Sequence, residues 1–428
     1  MTQFIISALG SYGDVHPMVG LGEALRLRGH DVKIITNPYF EVVVARAGLT
    51  LLPIGTREDY IELSGHRDLW HPIRGPRLVL RTAVGGLRPL YEIVSTNYVA
   101  GQTVLCAHVL DLASRTASES LDAPLAAVHF APGVFWSVYD SPRLKGALLG
   151  PGVPQWLKRF QFWTSDVLFV NPLLRPLNAL RRELGLAPVT RVFSFWLNKA
   201  DVLVGLFPDW FGPPQPDWPT NVRLVGFPLW DAVRDADLGD AVREFLAAGE
   251  PPIVFSPGSA NKEAHQFFTA AVEACERLGR RGILLTKYEH QLPARLPAAV
   301  RHFGFVPLSK LLPQTAALVH HGGIGSCAQG LAAGVPQLVR PMAFDQFDNS
   351  RRLVQLGVAE ELSVKRFRGA TAAESLRRLL SSPDVAQKCR ELAARCDGPA
   401  SLEAACDVLE SLSVFPAVAG VYDPGHSA

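Results

Sequence analysis

The stretch LVHHGGIGSCAQGLAAGVPQLVRP, from Leu318 to Pro341, has the order apolar run, glycine turn, short Ala/Leu segment and second apolar run. The first run ends in His320 and His321, and three glycines follow within four positions. Where a strand ends in glycines and a helix begins, free backbone N–H groups point outward at the positive end of the helix dipole. The stretch therefore predicts an α/β domain with an anion-binding turn, for which phosphate is the usual ligand.

Two glycine turns of this kind occur in the same half of the chain. In the first, Gly323 and Gly325 let the backbone approach a ligand closely, and Ser326 adds a hydroxyl. The second turn, IVFSPGSAN, contains Gly258 and Ser259. Both turns of a doubly wound sheet open at the carboxyl ends of its strands, so the sequence predicts that they converge on one diphosphate.

A dinucleotide site is the competing interpretation of the first turn. Gly323, Gly325 and Ala328 fit the pattern G-x-G-x-x-A, and Asp345 follows at the spacing expected for a ribose-binding acid. However, the turn lies late in the chain, the predicted helix is short, and Asp345 lies beyond Pro341 in a loop. A dinucleotide acid would end the second strand, where Arg340 stands.

Metal binding at the histidine pair is not predicted. Adjacent residues on a strand point to opposite faces, so His320 and His321 cannot both face one ion. One of them is expected to face the turn and the other to pack inside. No acidic metal-binding motif such as Asp-x-Asp lies within the stretch from Leu318 to Pro341.

The bulk composition predicts two domains and a small-molecule ligand. A chain of 428 residues is too long for one compact core. Lys plus Arg number 42 and Asp plus Glu 40, so the net charge of +2 gives no reason to expect nucleic acid. The six cysteines are widely spaced and the N-terminus lacks a charged leader, which favours a cytoplasmic location. No run is long enough to cross a membrane.

Short apolar runs alternate with amphipathic segments along the chain, which predicts parallel strands joined by crossover helices. Five prolines between positions 207 and 221 exclude a regular helix and a central strand there. The predicted parts are an N-terminal Rossmann-like domain over 1–212, a linker over 213–219, a C-terminal Rossmann-like domain over 220–395, and a helix and tail over 396–428 that pack back toward the N-terminal domain.

The residues from 304 to 349, GFVPLSKLLPQTAALVHHGGIGSCAQGLAAGVPQLVRPMAFDQFDN, resemble the nucleotide-sugar signature of inverting UDP-type glycosyltransferases of family 1. GSYGDVHPMVGLGEALRLRGHDV, from residue 10 to 32, is similar to the opening motif of the same family. The stretches FPDWFGPPQPDWP and DQFDNSRRLVQLG are most similar to the bacterial rhamnosyltransferases of rhamnolipid biosynthesis. The resemblance implies the GT-B fold, an α/β fold with two Rossmann-like domains facing each other across a cleft.

The resemblance also implies a donor site without a metal or a resident cofactor. The nucleotide diphosphate sugar is then a co-substrate, and the leaving-group charge is neutralised by the helix N-terminus and His321. The implied donor contacts are Ser259, His321 and Ser326 to the diphosphate, Asp345 and Gln346 to the sugar, and Phe305 with the backbone of Val306 to the base. From the residues alone, Phe305 could equally be a core aromatic, and Asp345 could cap the helix that follows it.

At Gln329 many UDP-glucose users of this family have a glutamate that accepts from both ribose hydroxyls. A glutamine accepts less strongly than a carboxylate. The substitution is compatible with a deoxythymidine donor, in agreement with the rhamnosyltransferase resemblance, although glutamine can also bond a ribose.

Asp14 is the candidate general base. It lies just after the first predicted strand, where plant relatives have a histidine and several bacterial relatives have this aspartate. His108 falls where plant relatives place the supporting aspartate, so the carboxylate and the imidazole have exchanged positions. The structural alternatives are an N-cap for Asp14 and an ordinary strand-end histidine for His108. Capping and catalysis compete for the same carboxylate oxygens.

The sequence therefore predicts an inverting hexosyltransferase that moves L-rhamnose from dTDP-rhamnose to a hydroxyl of an apolar acceptor. The aromatic segment from 131 to 174 is expected to line the acceptor site, and its stretch QWLKRFQFW is compatible with a weak membrane-surface contact. The alternatives are a UDP-glucose-dependent natural-product or sterol glucosyltransferase, a non-catalytic nucleotide-sugar binding protein, and a dinucleotide oxidoreductase.

Overall fold

The computed structural model describes residues 1–145, 147–231 and 238–413, which form two parallel β-sheets covered by helices. The strands of the first sheet are β1 (Gln3–Ser7), β2 (Asp31–Thr36), β3 (Thr50–Pro53), β4 (Thr103–His108), β5 (Leu125–His129), β6 (Val202–Gly205) and β7 (Val222–Leu224). Those of the second sheet are β8 (Ile253–Ser256), β9 (Gly282–Leu285), β10 (Val300–Phe303), β11 (Ala317–His320), β12 (Gln337–Val339) and β13 (Ala359–Glu361).

Most of the helices lie in the segments that connect these strands, and the last three follow β13. In the first half they are α1 (Tyr12–Leu27), α2 (Glu41–Arg46), α3 (Arg57–Gly65), α4 (Arg74–Gly85), α5 (Leu87–Asn97), α6 (Leu112–Leu121), α7 (Gln155–Thr164) and α8 (Arg175–Glu183). In the second half they are α9 (Asp240–Ala247), α10 (His265–Leu278), α11 (Leu308–Leu311), α12 (Ile324–Ala332), α13 (Gln346–Gln355), α14 (Gly369–Ser381), α15 (Pro383–Ala393) and α16 (Gly398–Glu410).

Both sheets reverse their strand order at one point. The first has the order β3-β2-β1-β4-β5-β6-β7 and the second β10-β9-β8-β11-β12-β13. The reversal therefore falls between β1 and β4 in one sheet and between β8 and β11 in the other. The central strands β4 and β11 are buried along their whole length, as expected for parallel strands covered on both faces. In such sheets, ligands bind outside the carboxyl ends of the strands at the reversal.

The first helix begins earlier than the position of Asp14 suggested. Ser11 is the N-cap of α1 and accepts from the backbone N–H of Gly13, whereas Asp14 is the third helical residue. Val15, Met18, Leu21 and Leu25 are all fully buried, so the predicted helical spacing does mark the inner face. Asp14 is therefore a first-turn residue and not the N-cap.

The predicted boundary at residue 220 is wrong in one respect. The strand β7, expected from its sequence to open the second domain, pairs in parallel with β6 and forms the edge of the first sheet. The proline-rich stretch before β7 leads the chain back to the edge of the first sheet. A strand can follow prolines there, because an edge strand has a neighbouring strand on only one side. The second sheet begins only with β8.

The last described helix packs on the N-terminal domain. Leu402, Ala405, Cys406 and Leu409 of α16 are buried in the core that α1 and β1 also line. Arg28, just after α1, forms ion pairs with Glu403, Asp407 and Glu410 of α16. Both ends of the described residues therefore meet on one domain.

The segment from 131 to 174 contains more regular structure than its composition indicated. Its second half forms α7 and a π-helical turn, Ser165–Val170. Trp136 stacks on Phe162 of α7 and on Phe193, which fixes the helix against the preceding loop. Within the described residues, no helix has the length and apolar character needed to span a bilayer.

Candidate functional site

His321 lies between the two glycine turns of the second sheet. A Cβ built on Gly258 would come within 2.8 Å of the His321 ring, and a Cβ on Gly323 within 2.6 Å of its Nε2. Gly258 also has a φ of +98°, a conformation that other residues rarely adopt. The turns after β8 and β11 therefore converge at the strand-order reversal, and glycine is required at both positions because the imidazole occupies the space.

The two adjacent histidines have different surroundings. His320 is fully buried, with its Nε2 2.9 Å from Oε1 of Gln337 and its Nδ1 accepting from the N–H of Gly322 at 3.1 Å. Burial lowers the pKa of His320 to about 3, so it is neutral and holds the turn. Burial also lowers the pKa of His321 to about 4, and its Nδ1 is buried without a hydrogen-bond partner among the described residues.

The N-terminus of α12 is free to bind an anion. Gly323 is the N-cap and offers no side chain to the first backbone N–H groups of the helix. Gly325, Ser326 and Gln329 lie on its accessible side, whereas Cys327, Ala328 and Leu331 are buried. With a neutral His321 beside it, this N-terminus provides hydrogen-bond donors and a partial positive charge but no full one. Without a ligand, the neutral His321 ring can offer a hydrogen bond but no positive charge, and the expectation that it neutralises a bound diphosphate stays a prediction.

Asp345 and Gln346 lie at the start of α13, beside the same turn. The carboxylate of Asp345 does not cap the helix; its Oδ2 accepts from Nδ2 of Asn349 at 2.8 Å. Burial, with a smaller contribution from the nearby Asp14, raises its pKa to about 6. The Oε1 atom of Gln346 accepts from the N–H groups of Met342 and Ala343, so only its Nε2 amide remains for a ligand.

Asn349 was not singled out from the sequence, although the quoted motif ends on it. Its Nδ2 donates both to Asp345 and to the carbonyl oxygen of Gly322, at 3.0 Å from the latter. It therefore fixes the carboxylate relative to the glycine turn. Its position one helical turn after Asp345 is the signal that could have identified it.

The other residues predicted for the donor site lie at neighbouring strand ends. Phe305 follows β10 and is 65% exposed, while Val306 beside it is buried. Phe305 is therefore not a core aromatic, and its ring is available for stacking. Ser259, in the turn after β8, is also exposed.

Asp14 and His108 meet at the strand-order reversal of the first sheet. Oδ1 of Asp14 lies 3.6 Å from Nε2 of His108, which is 1% exposed. The Nδ1 atom of His108 accepts from the N–H of Leu110, so in the neutral ring the proton is on Nε2 and faces Asp14. The Oδ2 atom of Asp14 accepts from the N–H and the hydroxyl of Ser11, at 2.7 and 3.0 Å. The two carboxylate oxygens therefore have separate roles, one in capping and one facing His108.

The two reversal points face each other across the domain boundary. Asp14 of the first domain lies near enough to Asp345 of the second to contribute to the raised pKa of its carboxyl group. Trp70, which follows α3, contacts the edges of His321 and Phe344, with ring centroids 6.3 and 6.0 Å apart. The indole nitrogen of Trp70 is buried without a partner in the described part of the chain. No motif marked Trp70, because its contact depends on how the domains meet.

The described residues contain no group of three His, Cys, Asp or Glu side chains placed to hold a metal ion. The dinucleotide interpretation also fits the geometry poorly. Arg340 stands just after β12, where a ribose-binding acid would be needed, and Asp345 is engaged by Asn349.

Both halves of the chain match known domain families. Residues 4–139 match the glycosyltransferase family 28 N-terminal domain, and residues 281–410 match the erythromycin biosynthesis protein CIII-like C-terminal domain. Among solved structures, the glycotransferase of kitacinnamycin superposes with a TM-score of 0.74 at 21% identity, covering 96% of this chain and 99% of that one. The two Rossmann-like domains therefore form a GT-B fold.

Two further comparisons extend over nearly the whole chain. The chain is 28% identical over 425 residues to O-mycaminosyltylonolide 6-deoxyallosyltransferase of Streptomyces fradiae, covering 94% of this chain and 95% of that protein. The spinosyn rhamnosyltransferase SpnG complexed with thymidine diphosphate superposes with a TM-score of 0.65 at 19% identity, covering 95% and 100%. Together with the matches to a family 28 N-terminal domain and a CIII-like C-terminal domain, these similarities support the coarser assignment of the chain as a glycosyltransferase.

We expect Gly323→Ala to lower both the melting temperature and the affinity for dTDP, because its Cβ would displace the His321 ring. Gly325→Ala is the matched control for folding, since a Cβ there meets no atom within 4 Å. Thermal unfolding and calorimetric titration measure the two effects. Equal loss of stability in both variants would show that the His321 contact is not the reason for glycine at 323.

Proposed function

We propose that the chain is an inverting, metal-independent glycosyltransferase that transfers a 6-deoxyhexose, L-rhamnose, from a dTDP-sugar to a hydroxyl of an apolar acceptor. The observation that carries the proposal is a convergence of residues from both domains. The uncapped N-terminus of α12, His321 and Asp345 lie opposite the pair Asp14 and His108. One side provides a diphosphate site and the other a base, as a displacement at a sugar carbon requires.

The donor side has contacts suited to each part of a nucleotide diphosphate sugar. The N-terminus of α12 with Ser326, Ser259 and His321 addresses the diphosphate. Asp345 and the Nε2 amide of Gln346 address the sugar hydroxyls, and Phe305 with the backbone of Val306 addresses the base. The similarity to a structure with bound thymidine diphosphate supports this assignment of the turn.

In the proposed reaction, Oδ1 of Asp14 takes the proton of the acceptor hydroxyl. The acceptor oxygen bonds to the anomeric carbon on one face of the sugar while the bond to the diphosphate breaks on the other, which inverts the configuration. The leaving diphosphate remains at the N-terminus of α12. The His108 ring lies beside Oδ1, with its Nε2 3.6 Å away, and the bonds of Oδ2 to Ser11 restrain the rotation of the carboxylate.

The choice of dTDP rests on Gln329 and that of a 6-deoxy sugar on the relatives. Gln329 lies on the accessible side of α12, where a glutamate would accept from two ribose hydroxyls. The Streptomyces fradiae relative is by name a 6-deoxyallosyltransferase, and the spinosyn enzyme is by name a rhamnosyltransferase. A UDP-glucose-dependent natural-product or sterol glucosyltransferase is the second candidate, because a glutamine can also bond a ribose.

The acceptor is assigned to the side of the N-terminal domain formed by the segment from 131 to 174. Its apolar lining favours a hydroxy-fatty acid derivative, a sterol-like molecule or an aromatic aglycone. A nucleotide-sugar binding protein without transfer activity would need the same donor site, but it would not need Asp14 to face the sugar.

Asp14→Asn should keep dTDP binding and lower kcat by about a hundredfold or more, because the amide can still accept from Ser11 but cannot take a proton. Asp59→Asn is the matched control, since Asp59 occupies the same capping position on α3 and bonds Thr56. Steady-state rates with dTDP-rhamnose and an apolar alcohol measure the change. Full activity of Asp14→Asn would remove Asp14 from the role of base.

We expect the affinity for dTDP-rhamnose to fall as the pH drops through about 6, where Asp345 becomes protonated. A sugar hydroxyl donates more strongly to the ionised carboxylate, so binding is full above the pKa and declines below it, by up to about tenfold from pH 7 to pH 5. Titrations of wild type and Asp345→Asn check this. A pH dependence that survives in Asp345→Asn must come from another group.

Wild-type protein should bind dTDP more tightly than UDP, and Gln329→Glu should shift the ratio toward UDP by about tenfold, because a carboxylate accepts strongly from both ribose hydroxyls. Gln266→Glu on α10 makes the same change of charge at an exposed position away from the turn. Side-by-side calorimetry with dTDP, UDP and NAD measures the preference. Tighter UDP binding by the wild type would favour the glucosyltransferase, and binding of NAD alone would refute the donor site.

A further inference from the structure

The outer side of α7 and of the π-helical turn after it exposes a cluster of large apolar side chains. Among the described residues the cluster comprises Trp156 (68% exposed), Phe160 (54%), Trp163 (47%), Leu168 (61%), Phe169 (64%) and Phe195 (62%). The first three follow helical spacing, and the rings of Phe160 and Trp163 stack with centroids 6.1 Å apart. Scattered exposed hydrophobic residues are ordinary, whereas a contiguous patch marks an interaction site. We call these six side chains, with the cations around them, the α7 face.

The two sides of α7 are clearly distinct. On the inner side Phe162 is buried with Val138 and Leu149, and Nζ of Lys158 donates to the carbonyl oxygen of Val138 at 3.1 Å. The side chain of Asp166 accepts from Ser194 and thereby holds the turn that leads to Phe195 beside the π-helical turn. The outward aromatic side chains are therefore held in place by a fixed scaffold, and they are not core residues of a loose helix.

The exposed charged side chains of the segment from 141 to 182 have one sign. Arg159, Arg175 and Arg191 are exposed beside or within these segments. From residue 141 to 182 the sequence contains a single acid, Asp166, and that side chain is buried, while the next acid, Glu183, forms an ion pair with Arg88. Tryptophan and phenylalanine beside arginine, with no exposed carboxylate, is the composition that favours the headgroup region of an anionic bilayer.

We propose that the α7 face docks on the surface of a bilayer that contains anionic lipid. A second copy of the protein fits less well, because a two-fold contact through this face would bring the same arginines of both copies together. The described helices are too short or too polar to span a bilayer, so in this proposal the protein lies on the bilayer surface.

Since α7 belongs to the segment from 131 to 174, to which the proposed function assigns the acceptor, docking in this way places the membrane beside that site. Only the thickness of one helix, about 10 Å, separates the outer side of α7 from the loop around Trp136 and Val138. An apolar acceptor dissolved in the bilayer could then reach the N-terminal domain without crossing much water. The membrane contact goes beyond the proposed transfer reaction and can be tested without any sugar donor.

The test is co-sedimentation of the full-length protein with vesicles of phosphatidylcholine alone and with vesicles that contain phosphatidylglycerol. We expect binding to the anionic vesicles, weakened by salt, and a loss of about tenfold or more in Trp156→Ser/Phe160→Ser/Trp163→Ser. Val42→Ser/Ile73→Ser/Val99→Ser is the control, because it removes three exposed apolar side chains from other parts of the same domain. Arg159→Glu/Arg175→Glu should weaken only the binding to anionic vesicles.

Thermal unfolding of each variant separates loss of binding from loss of fold, and sedimentation velocity without lipid reports self-association. The proposal is overturned if wild type binds neither kind of vesicle, if the aromatic variant binds as wild type does, or if neutral and anionic vesicles bind equally. It is also overturned if the aromatic variant abolishes a dimer while vesicle binding is absent. None of these outcomes bears on donor binding by the C-terminal domain.

Discussion

The reversal of strand order beside β1 and again beside β8 determines where chemistry can occur in this protein. At each reversal the connections leave the sheet in opposite directions, so the carboxyl ends of the two central strands stay uncovered. One uncovered edge presents Asp14 and His108, and the other presents His321 and the N-terminus of α12. Neither edge forms a complete site alone, and the proposed reaction depends on how the domains hold the two edges opposite each other.

Buried ion pairs contribute to that arrangement and connect the acceptor segment to the donor side. Asp348 of α13 is almost fully buried and bonds Arg352 at 2.8 Å, and Asp140 of the acceptor segment bonds the same guanidinium at 2.8 Å. The backbone N–H of Arg143 also donates to Asp348. Burying these charges is costly, and removal of one partner would leave the others uncompensated. Because α13 begins at Gln346, this helix connects the segment proposed for the acceptor with the residues proposed for the donor sugar.

How much of this could be predicted depended on the range of the interaction. Glycine turns, helix starts and buried strands are local, so the alternation of strands and helices and the turn at 321–326 followed from the sequence. The position of the edge strand β7 could not be predicted in this way. An apolar run after prolines is compatible with either sheet, and only its pairing with β6 shows which sheet it joins. Trp70 was missed for the same reason, since its partners lie in the other domain. From the sequence, capping and catalysis were expected to compete for the carboxylate oxygens of Asp14. Only the structure shows that Oδ2 bonds Ser11 while Oδ1 faces His108.

That separation has a physical consequence for the proposed base. The capping bonds hold Oδ2 against Ser11, which restrains the rotation of the carboxylate and fixes the direction in which Oδ1 points. A base restrained by the start of a helix loses little side-chain freedom when an acceptor binds. His108 is in turn restrained by the N–H of Leu110, and its proton faces Oδ1. The 3.6 Å between Nε2 of His108 and Oδ1 is longer than a hydrogen bond, so the His108 ring limits the space beside Oδ1 and leaves its lone pairs open to an acceptor hydroxyl.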